Sequence, residues 1–425
     1  MTTIQPSASD PFGPAAAADP ELYVDSVRAP GPVCPLGDGH IFLITEYDII
    51  TDALRRPADF SSNSTRKATA MVRAGLVRTD PEVMAMGSQL LVTDPVLQRA
   101  DPPQHTRSRK LVSRWFTARR VNDDWQPLIE GNCHALFDAV KAGEPIDAMA
   151  TLAIPLPIRV IADILGFERS SDADLKRWSD TNVHHAGRRL SADEAITQAR
   201  SNVEMLAFIR AALDGRRAHP RDDLTSHLAA LVVDDVAAED LAEGQLTAAE
   251  AIDIVAQIIV AGNETTTQLL GELLVLLAEH PDAYARLRED RSLVPTAIDE
   301  ALRLASPVFG LMRVASEGAT AGGVTLPAGG LVTVLFGAAN RDPRQFPAPG
   351  VFDLDRANAD SQVAFGVGIH YCLGAALARA ETRSFLGALL DRFAGIELLP
   401  SAPGDVEHTV MMRGRRRLPL RLITG

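Results

Sequence analysis

The chain has three cysteines, and one of them, Cys372, sits where a sulfur could become a metal ligand. Its surroundings, residues 365–381, read FGVGIHYCLGAALARAE. Phe365, Gly366 and Gly368 make a glycine-rich loop with one aromatic anchor; His370 precedes the thiol by two residues and Gly374 follows it by two. From Ala375 to Glu381 the chain, rich in Ala, Leu and Arg, reads as a helix start. A thiolate just before a helix N-terminus lies at the positive end of the dipole, which lowers its pKa, and loop N–H groups can point at the sulfur. Such a sulfur can hold a metal as a single axial ligand. The two loop glycines remove side chains where a flat macrocycle would approach the backbone.

Other residues could serve such a centre. In DPPQHTRSRKLVSRWFT (101–117), Asp101-Pro102-Pro103 blocks helix until Gln104. His105 and Arg109 then lie four apart, on one helix face, where two cationic donors can hold paired carboxylates. From His105 to Arg120 there are six Lys/Arg and no acid, a local reversal in a chain of formal net charge −13. Arg107, Lys110 and Arg114 fall on a different face of that helix. A basic patch there would steer an acidic electron donor, and a merely solvated face is the plainer alternative.

The longest helical run opens on a capping box, Thr247-x-x-Glu250, and continues to Glu279 before Pro281. At 1.5 Å per residue it is roughly 50 Å long, enough to cross a domain. Its middle reads Ala261-Gly262-Asn263-Glu264-Thr265-Thr266, with a third threonine next. Gly, an acid and threonines inside an apolar helix are locally unfavourable, and a rule broken mid-helix marks a functional site. Gly262 lets something flat lie against the backbone, Thr265 can hydrogen-bond a ligand or open the helix, and Glu264 can relay protons. Further on come Glu300-Ala301-Leu302-Arg303, then Arg313, then Asn340-Arg341-Asp342-Pro343. An i, i+3 Glu–Arg pair can form a salt bridge whose Arg fork clamps another loop.

The elements that position these residues are mainly helical. Residues 1–20 form a loose Ala-, Pro- and Asp-rich arm, and Glu21 to Arg28 reads as a helix. IFLIT (41–45) looks like part of a small sheet; residues 61–100 lack a clear period and read as a functional loop. Helix after helix follows from 104 to about 300, broken at Pro155, Pro157, Pro220 and Pro281. Short Val/Leu runs with Gly/Pro turns over 306–360 suggest a second small sheet. The expectation is one mainly α domain over 21–425 with minor β.

Composition removes several classes. Of 425 residues, 46% are hydrophobic and 23% charged, ample for a large core. The acidic balance carries no overall basic footprint, which argues against nucleic acid. Cys34, Cys133 and Cys372 show neither CxxC spacing nor zinc-ligand spacing, and a reducing compartment fits. No apolar segment precedes the first basic residue, Arg28, so no secretory signal is expected. Apolar runs fall short of the ~18 residues of a membrane span, so no anchor is expected either.

The cysteine stretch resembles the haem-binding loop of the cytochrome P-450 monooxygenases: Phe365, Gly366, Gly368, His370, Cys372 and Gly374 occupy every fixed position of that pattern. The central-helix pattern, Glu-x-x-Arg and the Asn-Arg-Asp-Pro run follow in family order. The resemblance, to the bacterial, membrane-free type, covers nearly the whole chain from about residue 20. It implies the P-450 fold, with haem b (iron protoporphyrin IX) between the long central helix and the C-terminal cysteine loop. It implies Cys372 as the iron ligand and contacts to the macrocycle from Ala261, Gly262, Phe365, Gly366, His370 and Gly374. It implies haem carboxylates held by His105, Arg109 and Arg313, and protons delivered by Glu264 and Thr265. The reaction implied is R–H + O2 + 2 electrons + 2 protons giving R–OH and water, in the cytoplasm. Electrons would come from an acidic ferredoxin-type donor and its reductase, docking on Arg107, Lys110 and Arg114.

The expected substrate is small to medium and apolar, an aliphatic, branched lipid or terpenoid. Its pocket is expected among residues 84–98, 180–190, Val308 to Met312 and Val410 to Met412, with Met84, Met86, Met312, Met411 and Met412 as adaptable lining. Arg73 or Arg78 could anchor a carboxylate. A haem-containing binder or sensor and a peroxide-driven oxygenase remain alternatives; the intact Glu264-Thr265 pair favours turnover on O2.

Overall fold

A computed structural model of the chain describes residues 24, 28, 31–36, 39–76, 95–183, 186, 190–234, 236–402, 405–409 and 411–424. The expected arm over 1–20, nearly all of the helix expected over 21–28, and Met84, Met86, Arg78 and Val410 lie outside them.

Strands β1 (Val33–Leu36) and β2 (Ile41–Ile44) lead into helix α1 (Tyr47–Leu54), β3 (Phe60–Ser61) and α2 (Ser64–Arg73). Helices then dominate: α3 (Gln104–Ser113), α4 (Gln126–Asp138), α5 (Pro155–Leu165), α6 (Asp172–Val183), α7 (Ala192–Ala218), α8 (Leu224–Leu231), α9 (Ala248–Glu279), α10 (Pro281–Glu289) and α11 (Val294–Ala305), with β4 (Ile146–Asp147) between α4 and α5. The C-terminal part holds β5 (Leu311–Ala315), the β6 (Thr320–Ala321) and β7 (Val324–Thr325) hairpin, β8 (Leu331–Val334), α12 (Ala375–Arg392), β9 (Gly395–Leu398), β10 (Val406–His408), β11 (Arg413–Arg415) and β12 (Pro419–Ile423).

The mainly α reading holds, with two corrections. Over 306–360 only the β6–β7 hairpin makes a small sheet of its own. β5 and β8 join β1, β2 and β3 in one five-stranded sheet of order β1-β2-β8-β5-β3, with β2 parallel to β8 and Ile41 opposite Leu331. A parallel partner so far away in sequence leaves no local trace. Both faces of this sheet are covered: Leu43, Met312 and Leu331 pack on one side, Phe42, Ile44 and Val332 on the other. The stretch 61–100 is not uniformly loop either, since α2 forms, capped by Asn63 accepting from Arg66 N–H at 3.1 Å.

α9 is the axle of the helical part. The expected capping box forms: Thr247 Oγ1 accepts from Glu250 N–H at 3.1 Å, and Glu250 Oε2 accepts from Thr247 N–H at 3.0 Å. The helix ends at Glu279, and Pro281 starts α10 at its first turn, where a missing N–H is harmless. α9 is buried on almost every side, against α5, α6, α11 and α12. No helix among the described residues is long and apolar enough to cross a membrane.

Candidate functional site

A single cavity, with about 1550 Å³ of empty space including its mouth, separates α9 from the loop before α12. Ala261, Gly262 and Thr265 line it from α9; Phe365, Gly366, His370, Cys372 and Gly374 line it from the loop; Arg109 and Arg313 reach it from α3 and β5. Ten of the expected site residues therefore meet at one space. His105 and Glu264 do not line it.

The cysteine loop is held from behind. Cys372 N–H donates to Phe365 O at 2.9 Å, closing the loop on itself. Val363 N–H donates to Asn340 Oδ1 at 2.7 Å, and Asn340 O accepts from Arg303 Nη1 at 3.0 Å. Arg303, 0% exposed, is forked onto Glu300 at 2.6 and 3.0 Å. The Glu-x-x-Arg pair thus acts through Asn340, as the clamp reading expects. Gly366 and Gly368 both have positive φ, 68° and 75°. A Cβ on Gly368 would strike the Leu54 carbonyl, so this glycine answers to α1 and not to a macrocycle. Gly262 likewise lets α9 close on α5: a Cβ there would lie 3.2 Å from Ile161 Cδ1. α9 stays helical through this stretch, and Thr265 Oγ1 donates back to Ala261 O at 2.9 Å.

Burial pushes the Cys372 pKa up, opposed by the Gly374 N–H at the start of α12 and by Arg109 and Arg379.

Cations crowd one rim. Arg109 Nη2 donates to Tyr371 O at 2.6 Å, and Arg313 Nη1 donates to Met312 O at 2.9 Å. Burial lowers Arg313 to about 10, and His370 is lowered to about 2 by burial and then by Arg313. His105 is buried with both ring nitrogens unpartnered, and His370 Nε2 is unpartnered too. Lys67 of α2, absent from the sequence reading, joins the group, lowered to about 7 by burial and then by Arg313 and Arg99. It lies one turn before Ala70 and Met71, which pack on β5, and that spacing was the available signal. Asp101, held by Ser61 Oγ and Ser62 N–H, is the acid that faces this group.

Glu264 lies on another side of α9. It is 2% exposed, accepts from Gln268 Nε2 at 2.6 Å, and sits 3.6 Å from Lys176 Nζ, which in turn pairs with Asp180 on α6. Thr409 and Arg413 line a small niche beside it.

Three expectations change. Among the described residues no methionine lines the cavity: Met312 and Met411 pack in the core beneath the sheet, and Met412 borders the Glu264 niche. Of the expected pocket, Leu97, Gln98, Val308 and Leu311 do line it, and Arg73 lies beside Gly329 instead. The basic patch is largely engaged. Arg107 pairs with Glu250 and donates to Gln245 O at 2.8 Å, Lys110 pairs with Glu243, and Arg114 contacts His227 Nδ1 at 2.6 Å. The acids and the histidine come from segments more than a hundred residues away, invisible in the local run.

A family model described as Cytochrome P450 matches residues 161–418. A protein of Saccharopolyspora erythraea named Cytochrome P450 107B1 is 40% identical over 390 residues, covering 89% of each chain. The chain belongs to the cytochrome P450 family. A vitamin D(3) 25-hydroxylase of Pseudonocardia autotrophica is 33% identical over 427 residues, covering 99% of this chain and 98% of its own. Among solved structures, the cytochrome P450 CREJ in complex with (4-ethylphenyl) dihydrogen phosphate aligns with TM-score 0.85 at 26% identity, over 97% of this chain and 100% of that one.

As a P450, the protein is a monooxygenase oxidoreductase whose cofactor is haem b. The residues present fit that group. One wall offers a lone sulfur, and among the described residues no cluster of three or more His, Cys, Asp or Glu competes to hold a metal. The rim offers buried cations and unpartnered imidazole nitrogens, suited to two carboxylates. When bound, a thiolate-ligated haem supplies the cleavage of O2.

Proposed function

We propose that this P450 hydroxylates a small-to-medium apolar organic molecule, in the cytoplasm, with O2 and two electrons from a ferredoxin-type donor. Cys372 would hold the iron; Arg109, Arg313, His105 and His370 would hold the haem carboxylates; Ala261, Gly262, Phe365, Gly366 and Gly374 would contact the macrocycle. The observation that carries this reading is the cavity with its lone sulfur on one wall and Thr265 on the α9 wall. Apolar lining such as Leu97, Ile161, Ile258, Val308 and Leu311 supports an apolar substrate, and so does a relative named for hydroxylating vitamin D(3).

The chain's own residues divide the proton work. Thr265 Oγ1 lies on the cavity wall, fixed by its bond to Ala261 O, and would take up and pass on a proton there. Glu264 resupplies that proton from the other side of α9, where Lys176 and Asp180 connect it toward the surface.

The deciding experiment is Cys372→Ser. The wild type is expected to show the thiolate-type Soret band in its reduced CO complex, and the variant to lose it. A variant that kept the band would sink the assignment.

A further inference from the structure

Arg379 of α12 reaches the cysteine loop without lining the cavity. Its guanidinium carbon stands over the Phe365 ring, 4.6 Å from the centroid, while Phe365 itself lines the cavity and its carbonyl accepts the Cys372 N–H. Arg379 Nη2 donates to Asp299 Oδ1 of α11 at 2.9 Å, and Nη1 reaches the Tyr371 hydroxyl at 3.4 Å. Asp299 Oδ1 also accepts from Gln362 Nε2 at 3.2 Å, and Gln362 Oε1 accepts the Ala364 N–H at 2.8 Å. One carboxylate oxygen thus ties α12 to the chain just before Phe365. Arg379 and Asp299 are 28% and 16% exposed, against 72% and 80% for Lys110 and Glu243, so solvent and salt screen this pair less than that one.

We propose that Arg379 sets the reduction potential of the centre that Cys372 would hold, its fixed positive charge favouring uptake of one electron and Asp299 moderating that charge. The ring beneath the guanidinium and the carboxylate beside it hold the charge in place before any electron arrives. Reduction of ferric to ferrous iron adds one electron from the donor, so negative charge grows near Arg379 and is stabilised by Coulomb attraction. The charge of Asp299 acts in the opposite sense. Arg109 and Arg379 both favour the thiolate form of Cys372; Arg109 also lines the cavity on the rim assigned to the haem carboxylates, and Arg379 stands outside it. The inference rests on the haem reading above.

The test is a spectroelectrochemical titration of the haem-loaded full chain, reading the midpoint of the ferric–ferrous couple. Arg379→Gln is expected to lower the equilibrium constant for reduction about tenfold, which is about 59 mV for one electron. Asp299→Asn keeps an oxygen for Arg379 and Gln362 while removing the negative charge, and is expected to raise the constant about threefold. Arg379→Lys keeps the charge and loses the fork, and should stay within about twofold of the wild type. Opposite shifts in Arg379→Gln and Asp299→Asn support the proposal, because loss of bracing alone would move both the same way and speed haem loss in both. Shifts of one sign, no shift in either, or a fall in Arg379→Lys as large as in Arg379→Gln overturn it. Should Arg379→Gln fail to load haem, the rise in Asp299→Asn decides. Failure of the haem reading looks different: the wild type would then give no thiolate-type Soret band with CO.

Discussion

The rings of His105 and His370 stand with centroids 4.3 Å apart and planes tilted by 60°, and both nitrogens of His105 and Nε2 of His370 lack a protein partner. One comes from α3, the other from the loop two residues before Cys372. Burial and the nearby arginines hold both below the usual imidazole range, so they meet an anion as neutral donors, while Arg109 and Arg313 meet it as charges.

That division predicts a ranking of haem loss. Hydrogen bonds to charged groups contribute ~1.5–3 kcal/mol, with charged, forked donors at the strong end. His105→Ala should speed haem transfer to an acceptor globin about tenfold, and Arg313→Leu more than that, up to about a hundredfold. Equal rates in both variants and the wild type would remove the carboxylate assignment.

Thr265→Ala should retain haem and thiolate spectra but divert electrons into hydrogen peroxide, read as the ratio of peroxide and product to reductant consumed. Glu264→Gln should slow turnover at least about tenfold, the scale of general acid–base assistance. Full coupling in Thr265→Ala would refute its proton role.

Arg303 is a fork with no exposed surface, bonded to Glu300, Asn340 O and Val351 O. Lysine keeps the charge and loses the fork. Arg303→Lys should cost about 3 kcal/mol or more in urea unfolding, as broken buried pairs do. It should also weaken haem retention, because Val363 hangs on Asn340. A loss under about 0.5 kcal/mol, the scale of a surface change, would dismiss the clamp.

Glu381, 2% exposed and lining the cavity, has an unpartnered Oε2, and burial raises its carboxyl to about 8. Between its ordinary range near 4.5 and about 8, the folded chain keeps this proton and the unfolded chain releases it. Stability from this group is therefore lost as pH rises through that window, by at most about 1.4 kcal/mol per unit, and levels off above it. Glu381→Gln should remove the slope, so the variant's melting temperature gains on the wild type as pH climbs from 5 to 8. Parallel curves would show that the carboxyl is ionised throughout.

Lys110 and Arg114 are the exposed cations proposed to meet an acidic donor. Reversing both to Glu should slow reduction, more so at low salt. Arg107→Glu should act differently, lowering stability because it strands the buried Glu250 at the start of α9. Salt-independent, unchanged reduction would move the docking face elsewhere.

The residue pattern by itself determined the family, the sulfur, the central helix with its capping box, and the order in which the motifs reach the site. Those signals are local: a loop, a helix period, a pair at i, i+3. Only the tertiary structure decided the rest, because it depends on partners far away in the chain. Gly262 lines the cavity and also lets α9 close on α5, with Ile161 Cδ1 3.2 Å from its missing Cβ, a neighbour the local run does not announce. Arg107 reads as a free charge until Glu250 arrives from α9. Glu264 and Thr265, adjacent in sequence, point to different sides because an α-helix turns about 100° per residue. Burial, which no single residue type announces, raised the Cys372 thiol and lowered Lys67.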